Sequence, residues 1–221
     1  MDDLGYSTFE AVLTKDECED IIGGLSSLVR VHGRAGIRNL MSNPAIFGLA
    51  GDERLISIAA RILGGRALPF SATLFEKCAT TNWNVSWHQD RALPLSRRVS
   101  SEEWGPWSIK RGVLYALAPA WALEGVVALR IHLDASTLEN GPLQVIPGTH
   151  KDGVLVDHDI IRLTRDRSWN TCVVASGGVL AMRPLLLHSS MKVRNTDPRR
   201  VIHIEYADSL ELGKGVQLSV A

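Results

Sequence analysis

Two textures divide the chain. From Leu68 onward, short apolar or alternating runs are cut by Gly, Pro and Asn: LPFSATLFEK (68–77), GVLYALAP (112–119), VVALRIHLD (126–134), GPLQVIP (141–147), NTCVVA (170–175), GVLAM (178–182), LLLHSSMKV (185–193) and RRVIHIEYA (199–207). Runs of this length with turn residues between them predict strands, and this many predict a β sandwich or barrel. The first third is periodic in a different way. TKDECEDIIGGLSSLV (14–29) opens with Thr14 and Glu17 in capping-box spacing and continues with apolar residues at helical intervals. DERLISIAARILGG (52–65) repeats the pattern and ends in the glycine pair expected past a helix C-terminus. Two leading helices and a β domain follow from the pattern.

Within the β region, His88-Gln89-Asp90 and His132-Leu133-Asp134 each place an imidazole and a carboxylate two residues apart. In extended chain such residues point to one face, so either pair could aim both groups at one ion. A site built from two histidines and a carboxylate takes its second histidine from a later strand that has returned beside the first, which needs several strands in between. Between Asp90 and His188 the predicted strands GVLYALA, VVALRIH, PLQVI and GVLAM intervene. After Asp134 only the last two remain. His88, Asp90 and His188 are therefore the expected triad. In the other motif, Val127, Leu129, Ile131 and Leu133 form an apolar face and leave Arg130, His132 and Asp134 as ordinary polar groups of a strand.

Composition narrows the partners more than the fold. The 221 residues carry 24 Lys and Arg against 24 Asp and Glu, a formal charge of zero. No global field would gather nucleic acid or anionic membrane, so a small-molecule partner is expected, and the oligomeric state is left open. The longest apolar run, GVLYALAPAWAL, is broken well before a bilayer-spanning length. Three cysteines without C-x-x-C spacing or a signal-peptide pattern suit a reducing cytoplasm. The length fits one domain over 1–221. The tryptophans of Glu102–Lys110 predict a structured loop or lid, and His150 is assigned no role.

Four stretches read together are specific: WHQD (87–90), ENGPLQVIPGTHKDGVL (139–155), PLLLHSS (184–190) and RRVIHIEY (199–206). With GYSTFEAVLTKDECEDII (5–22) ahead of them, the chain resembles the phytanoyl-CoA dioxygenase family over most of its length. The resemblance implies a mainly β fold with flanking α, a double-stranded β-helix (jelly roll, cupin-like) whose N-terminal helices pack on one face. The helical lead-in would be 1–66 and the jelly-roll core 67–210. It implies Fe(II), the co-substrate 2-oxoglutarate and O2, with the metal motif on His88, Asp90 and His188, the three chosen above by strand count.

Two neutral imidazoles and a carboxylate hold Fe(II) on one face and leave positions open for 2-oxoglutarate and oxygen. The resemblance places a 2-oxoglutarate arginine on the strand after the distal histidine, where Arg199 and Arg200 both stand. Alternation lets one of them face inward, and family spacing favours Arg199 although the apolar pattern leans toward Arg200. Gln89 and Ser190 match positions beside the cofactor. Trp107 could wall a substrate pocket or belong to the core, and Lys110 and Arg38 could hold an anionic substrate or sit solvated. Related halogenating iron enzymes carry a small residue where Asp90 stands, so the expected reaction is hydroxylation. The rival readings are a metal- and 2-oxoglutarate-binding barrel without turnover and a cupin-like isomerase or hydrolase using another divalent ion.

Overall fold

The computed structural model describes residues 1–32, 36–78, 82–195 and 197–221, without the side chains of 26–32. Helix α1 (Lys15–His32) starts as its capping box directs: Thr14 N–H donates to Glu17 Oε2 at 2.7 Å and Glu17 N–H donates to Thr14 Oγ1 at 3.2 Å. Helix α2 (Pro44–Ala50), absent from the sequence reading, has Pro at its first position and Asn43 accepting the Ala45 and Ile46 N–H groups. Helix α3 (Glu53–Leu63) begins at Asp52 and ends at Gly64, whose φ of 83° only glycine adopts without cost.

The larger sheet runs β1 (Tyr6–Phe9), β11 (Val179–Met182), β8 (Val126–His132), β13 (Arg199–Ala207), β3 (Leu68–Lys77), β2 (Gly36–Arg38), antiparallel throughout. Facing it are β10 (Asn170–Cys172), β9 (Leu143–Val145), β12 (His188–Ser190) and β4 (Val85–His88). A third sheet, β5 (Ala92–Leu95), β7 (Val113–Leu117) and β6 (Trp107–Lys110), closes one end, beside the ribbon β14 (Glu211–Gly213) and β15 (Val216–Gln217). Short helices α4 (Ala120–Glu124) and α5 (Asp157–Asp166) join strands. The architecture is the mainly β jelly roll expected from the sequence.

One core lies between the larger sheet and the leading helices. Leu74, Leu129, Ile131, Ile202, Ile204 and Tyr206 meet Ile46, Leu55, Ile58 and Ala59 there. The alternate residues of β3, β8 and β13 turn into the barrel, so these strands are buried on both faces. Two expectations change as a result. The lead-in is not wholly helical, because β1 and β2 belong to it and pair with β11 and β3. His132, expected as an ordinary polar group of a strand, is 1% exposed, with Nδ1 at 2.9 Å from Ser136 Oγ. Asp134 lies on the helix side and grips Arg200. No helix among the described residues is long and apolar enough to cross a membrane.

Tyr206 ties sheet to helices. Its hydroxyl donates to the carbonyl of Ala50, a last-turn acceptor of α2, at 3.0 Å, and the side chain is fully buried. Tyr206→Phe is expected to lower unfolding free energy in urea by about 1–3 kcal/mol, the usual cost of a buried acceptor left without its donor. A midpoint unchanged from wild type would contradict this.

Candidate metal centre

His88 and His188 are cross-strand partners on β4 and β12, and their ring centroids lie 4.2 Å apart. Each ring is fixed by its own chain: His88 Nδ1 lies 2.8 Å from the Ser86 carbonyl, and His188 Nδ1 lies 2.8 Å from the Leu186 carbonyl. A carbonyl can only accept, so Nδ1 carries the proton in both rings and the Nε2 lone pairs are left free. Both Nε2 atoms turn to Asp90, at 3.6 Å and 3.5 Å from its two oxygens. Asp90 is held in turn by its N–H, which donates to the Pro184 carbonyl at 2.9 Å, just ahead of β12. One donor atom from each of the three residues lies within 4.8 Å of the others.

The electrostatics agree with a ligand set. Burial opposes the charge on Asp90, but the His188 and His88 rings outweigh it and hold the carboxyl below the ordinary range. Burial pushes His188 down to about 4, so its imidazole is neutral at pH 7 and can donate its lone pair. Burial opposes the charge on His88 too, but there the hydrogen bond and charge of Asp90 outweigh it and raise the ring, so a metal bound there would displace its proton. Two imidazoles, one carboxylate and backbone carbonyls holding both rings make a donor set that fits Fe(II).

Two cavities meet at this centre. The inner one is lined by Lys77, Arg130, Arg199 and Ser190, together with Trp83 and Leu143. Asp90 is the only carboxylate on its walls among the described residues. Arg199 is 2% exposed, and its Nε and Nη1 have no partner, while Nη2 makes only a 3.4 Å contact with Ser190 Oγ. Lys77 differs: its ammonium donates to the Ser190 carbonyl, the Ser190 hydroxyl and the Met191 carbonyl at 3.1, 2.7 and 2.6 Å, using all three protons. Burial and the neighbouring cations push Arg199 to about 9 and Lys77 to about 7. The outer cavity, about 360 Å³, is lined by Arg38, Ser71, Tyr115, Lys110, His203 and Glu205 besides His88 and Asp90.

The remaining expected residues distribute as follows. Arg200 points away from both cavities and forms a two-pronged pair with Asp134, at 2.7 Å and 2.8 Å. Gln89 is a strut: its amide donates to the carbonyls of Gly153 and Leu185 and accepts the Leu155 N–H, so both its ends are engaged with backbone. Ser190 lines the inner cavity, and its hydroxyl donates to the Gly141 carbonyl. Trp107 packs against the core at the closed end, beneath the Arg98 guanidinium, and Trp104 is buried in that core. Arg38 and Lys110 line the outer cavity; the segment holding Arg38 is described from Gly36 onward. Sequence reading missed Lys77, His203 and Glu205, and took Arg130 for an ordinary polar group of a strand. The available signal was their shared parity: Lys77 with Ser71 and Thr73, and Glu205 with His203 and Arg199, alternate with the apolar residues that face the helices.

Comparison with known proteins bears on this geometry. The sequence profile of the phytanoyl-CoA dioxygenase (PhyH) family matches residues 1–201. An L-proline trans-4-hydroxylase from Streptomyces griseoviridis is 26% identical over 180 aligned positions, covering 69% of this chain; the chain spans 59% of that relative. AviO1 from Streptomyces viridochromogenes Tue57 superposes with a TM-score of 0.71 at 23% identity, covering 96% of this chain and 93% of that one. EctD from S. alaskensis, solved with 2-oxoglutarate and 5-hydroxyectoine, gives 0.70 at 19% identity, covering 93% and 73%. The two structures share the fold with this chain.

One divalent ion per chain is expected in an anaerobic Fe(II) or Co(II) titration. Asp90→Gly should weaken it by more than about 100-fold, since even residues that merely orient metal ligands contribute roughly 10–100-fold. His132→Ala, whose ring faces Ser136, should keep the wild-type stoichiometry. Loss of the ion in His132→Ala with retention in Asp90→Gly would move the centre to the other motif.

Proposed function

The chain belongs to the phytanoyl-CoA dioxygenase family, and on that premise we propose that it is a non-haem Fe(II)- and 2-oxoglutarate-dependent oxygenase that hydroxylates a small-molecule metabolite. The observation that carries this reading is the convergence of two free Nε2 atoms and one carboxylate beside a cavity whose buried arginine has unpaired donors. In this reading His88, Asp90 and His188 hold the iron, and Arg199 holds the distal carboxylate of 2-oxoglutarate through its planar fork. Bound iron supplies the centre at which dioxygen is reduced. The overall change balances as substrate C–H plus O2 plus 2-oxoglutarate giving substrate C–OH, succinate and CO2, with one oxygen atom delivered to each organic product.

The protein's own contribution is binding, orientation and exclusion of water. Lys77 pins the end of β12 through Ser190 and Met191, so the wall that carries His188 is fixed before any ligand arrives. Gln89, between His88 at the end of β4 and Asp90 just past it, clamps that stretch to the segments at Gly153 and Leu185. Asp90 fills a coordination position with a carboxylate, which favours hydroxyl transfer over halide transfer. The relative named as an L-proline hydroxylase supports a small, polar substrate here.

Arg199→Ala is expected to raise the 2-oxoglutarate concentration for half-maximal succinate formation by more than about tenfold, because removing one partner of a buried charge pair costs roughly 2–5 kcal/mol. Arg200→Ala should change it less than about twofold, since Arg200 serves a partly buried pair with Asp134 that lies outside both cavities. The opposite ranking would reassign the co-substrate arginine, and iron binding with no dependence on 2-oxoglutarate would sink the oxygenase reading.

A further inference from the structure

The outer cavity has a charge arrangement that the metal centre and co-substrate do not use. Its mouth is made by two elements that meet across the sheet edge, the end of β2 and the β6–β7 hairpin. Asn39 fastens them: its Nδ2 donates to the Lys110 carbonyl at 3.0 Å, and its Oδ1 accepts from the Tyr115 hydroxyl at 2.8 Å. That clasp sets Arg38 and Lys110 close enough for Arg38 to oppose the charge on Lys110, whose ammonium lies 4.9 Å from the centre of the Tyr115 ring. Farther in, Glu205 projects from β13 beside Ser71, its partner across the β13–β3 ladder, and His203 precedes it on the same face. Among the described residues, no ion pair closes on Arg38, Lys110 or Glu205.

Arg38 and Lys110 at the mouth and Glu205 farther in thus share a cavity of ligand size with Arg91 and Asp90, and the first three do not neutralise one another directly. The barrel half-buries Glu205, and burial together with the charge of Asp90 pushes its carboxyl up to about 7. A cation placed against it would restore the ionised form. An anion at the mouth would satisfy Arg38 and Lys110, with Arg38 offering a planar fork suited to a carboxylate. The metal-facing wall, His88 and Asp90, lies in the same cavity, so a molecule spanning these groups presents its carbon skeleton to the centre.

We propose that the outer cavity is the site of a small zwitterionic substrate, a free amino acid or amino-acid-like compound, whose carboxylate is held by Arg38 and Lys110 and whose ammonium is held by Glu205. The proposal rests on the oxygenase reading for the reaction, but the recognition it describes is a property of the cavity alone. A purely anionic ligand would leave Glu205 as a repelling group, and a neutral sugar would leave Arg38, Lys110 and Glu205 without charged partners in a partly dehydrated space.

The test separates binding from turnover. A panel of free L-amino acids, the same compounds with the amine acetylated, the same compounds as methyl esters, and neutral monosaccharides is titrated by calorimetry into the full-length protein loaded with Co(II) and 2-oxoglutarate. Succinate release is followed in parallel with Fe(II). At least one free amino acid is expected to bind and to stimulate succinate release, with affinity falling tenfold or more when either charged end is blocked. Glu205→Gln should weaken the free amino acid tenfold or more yet leave the affinity of its N-acetyl derivative unchanged, a pattern that a folding defect would not produce. Arg38→Gln should weaken the free acid and not its methyl ester. Failure of every free amino acid in the panel to bind while succinate is still released, or binding indifferent to acetylation, overturns the proposal and leaves the oxygenase reading intact. Amino-acid binding without any succinate formation supports the proposal and removes the oxygenase reading instead.

Discussion

Everything at the centre depends on β13 being covered on both faces. A strand with one solvated side would display alternate residues to water, and a buried arginine or carboxylate on it would have no function to support its cost. Here helices α1 to α3 take the residues of one parity, Ile202, Ile204 and Tyr206, into the main core. The other parity, Arg199, His203 and Glu205, is forced into the barrel, where each meets a cavity rather than solvent. Arg200, at the start of the helix-side parity, is only partly buried and reaches Asp134. The two neighbouring arginines differ in environment because the side-chain period of a strand is two residues.

The inner cavity shows what that burial does electrostatically. Removal from water lowers the proton affinity of Lys77 and Arg199, the charge of Arg130 adds to it at both, and that of Arg199 adds to it at Lys77. Lys77 relieves its share by donating to three oxygens. Arg199 keeps two donor atoms unpaired. A dianion entering there would remove repulsion as well as make hydrogen bonds, and by mass action it would also raise the stability of the whole fold. The cavity is organised for its ligand at a cost to the ligand-free protein, a balance common at sites whose groups must be in place before binding.

Much of this was legible from residue order. The capping box of Thr14 and Glu17, the glycine stop at Gly64, the eight strand segments and the choice of His88, Asp90 and His188 over His132 and Asp134 all follow from spacing and strand count. What spacing concealed was exposure. Arg130, His132, Lys77 and Glu205 alternate with apolar residues, and such alternation has the same appearance whether the polar side meets water or the inside of a barrel. Strands β1 and β2, four and three residues long, carry too few positions for a period to register. They form because neighbouring strands offer free edges. Trp107 was misleading for a related reason: large aromatic residues suit both a pocket wall and a core, and here the closed end of the barrel takes it.

Two tryptophans, one on the wall of the inner cavity and one beside His88, make the centre optically legible. Trp83 lies under the Lys77 ammonium, 5.1 Å from its ring centre, on the wall of the inner cavity. Trp87 immediately precedes His88 and stacks edge-on with Trp169 at 6.2 Å. A transition-metal ion held by His88 would drain the excited state of the adjacent Trp87 indole, whereas an anion drawing on the field of Lys77 would shift the emission colour of Trp83. Because Trp83 shares the inner cavity with His88, Asp90 and His188, a quenching ion would dim both indoles, whereas an anion alone would move the colour of Trp83, so intensity and wavelength would report the two kinds of occupant.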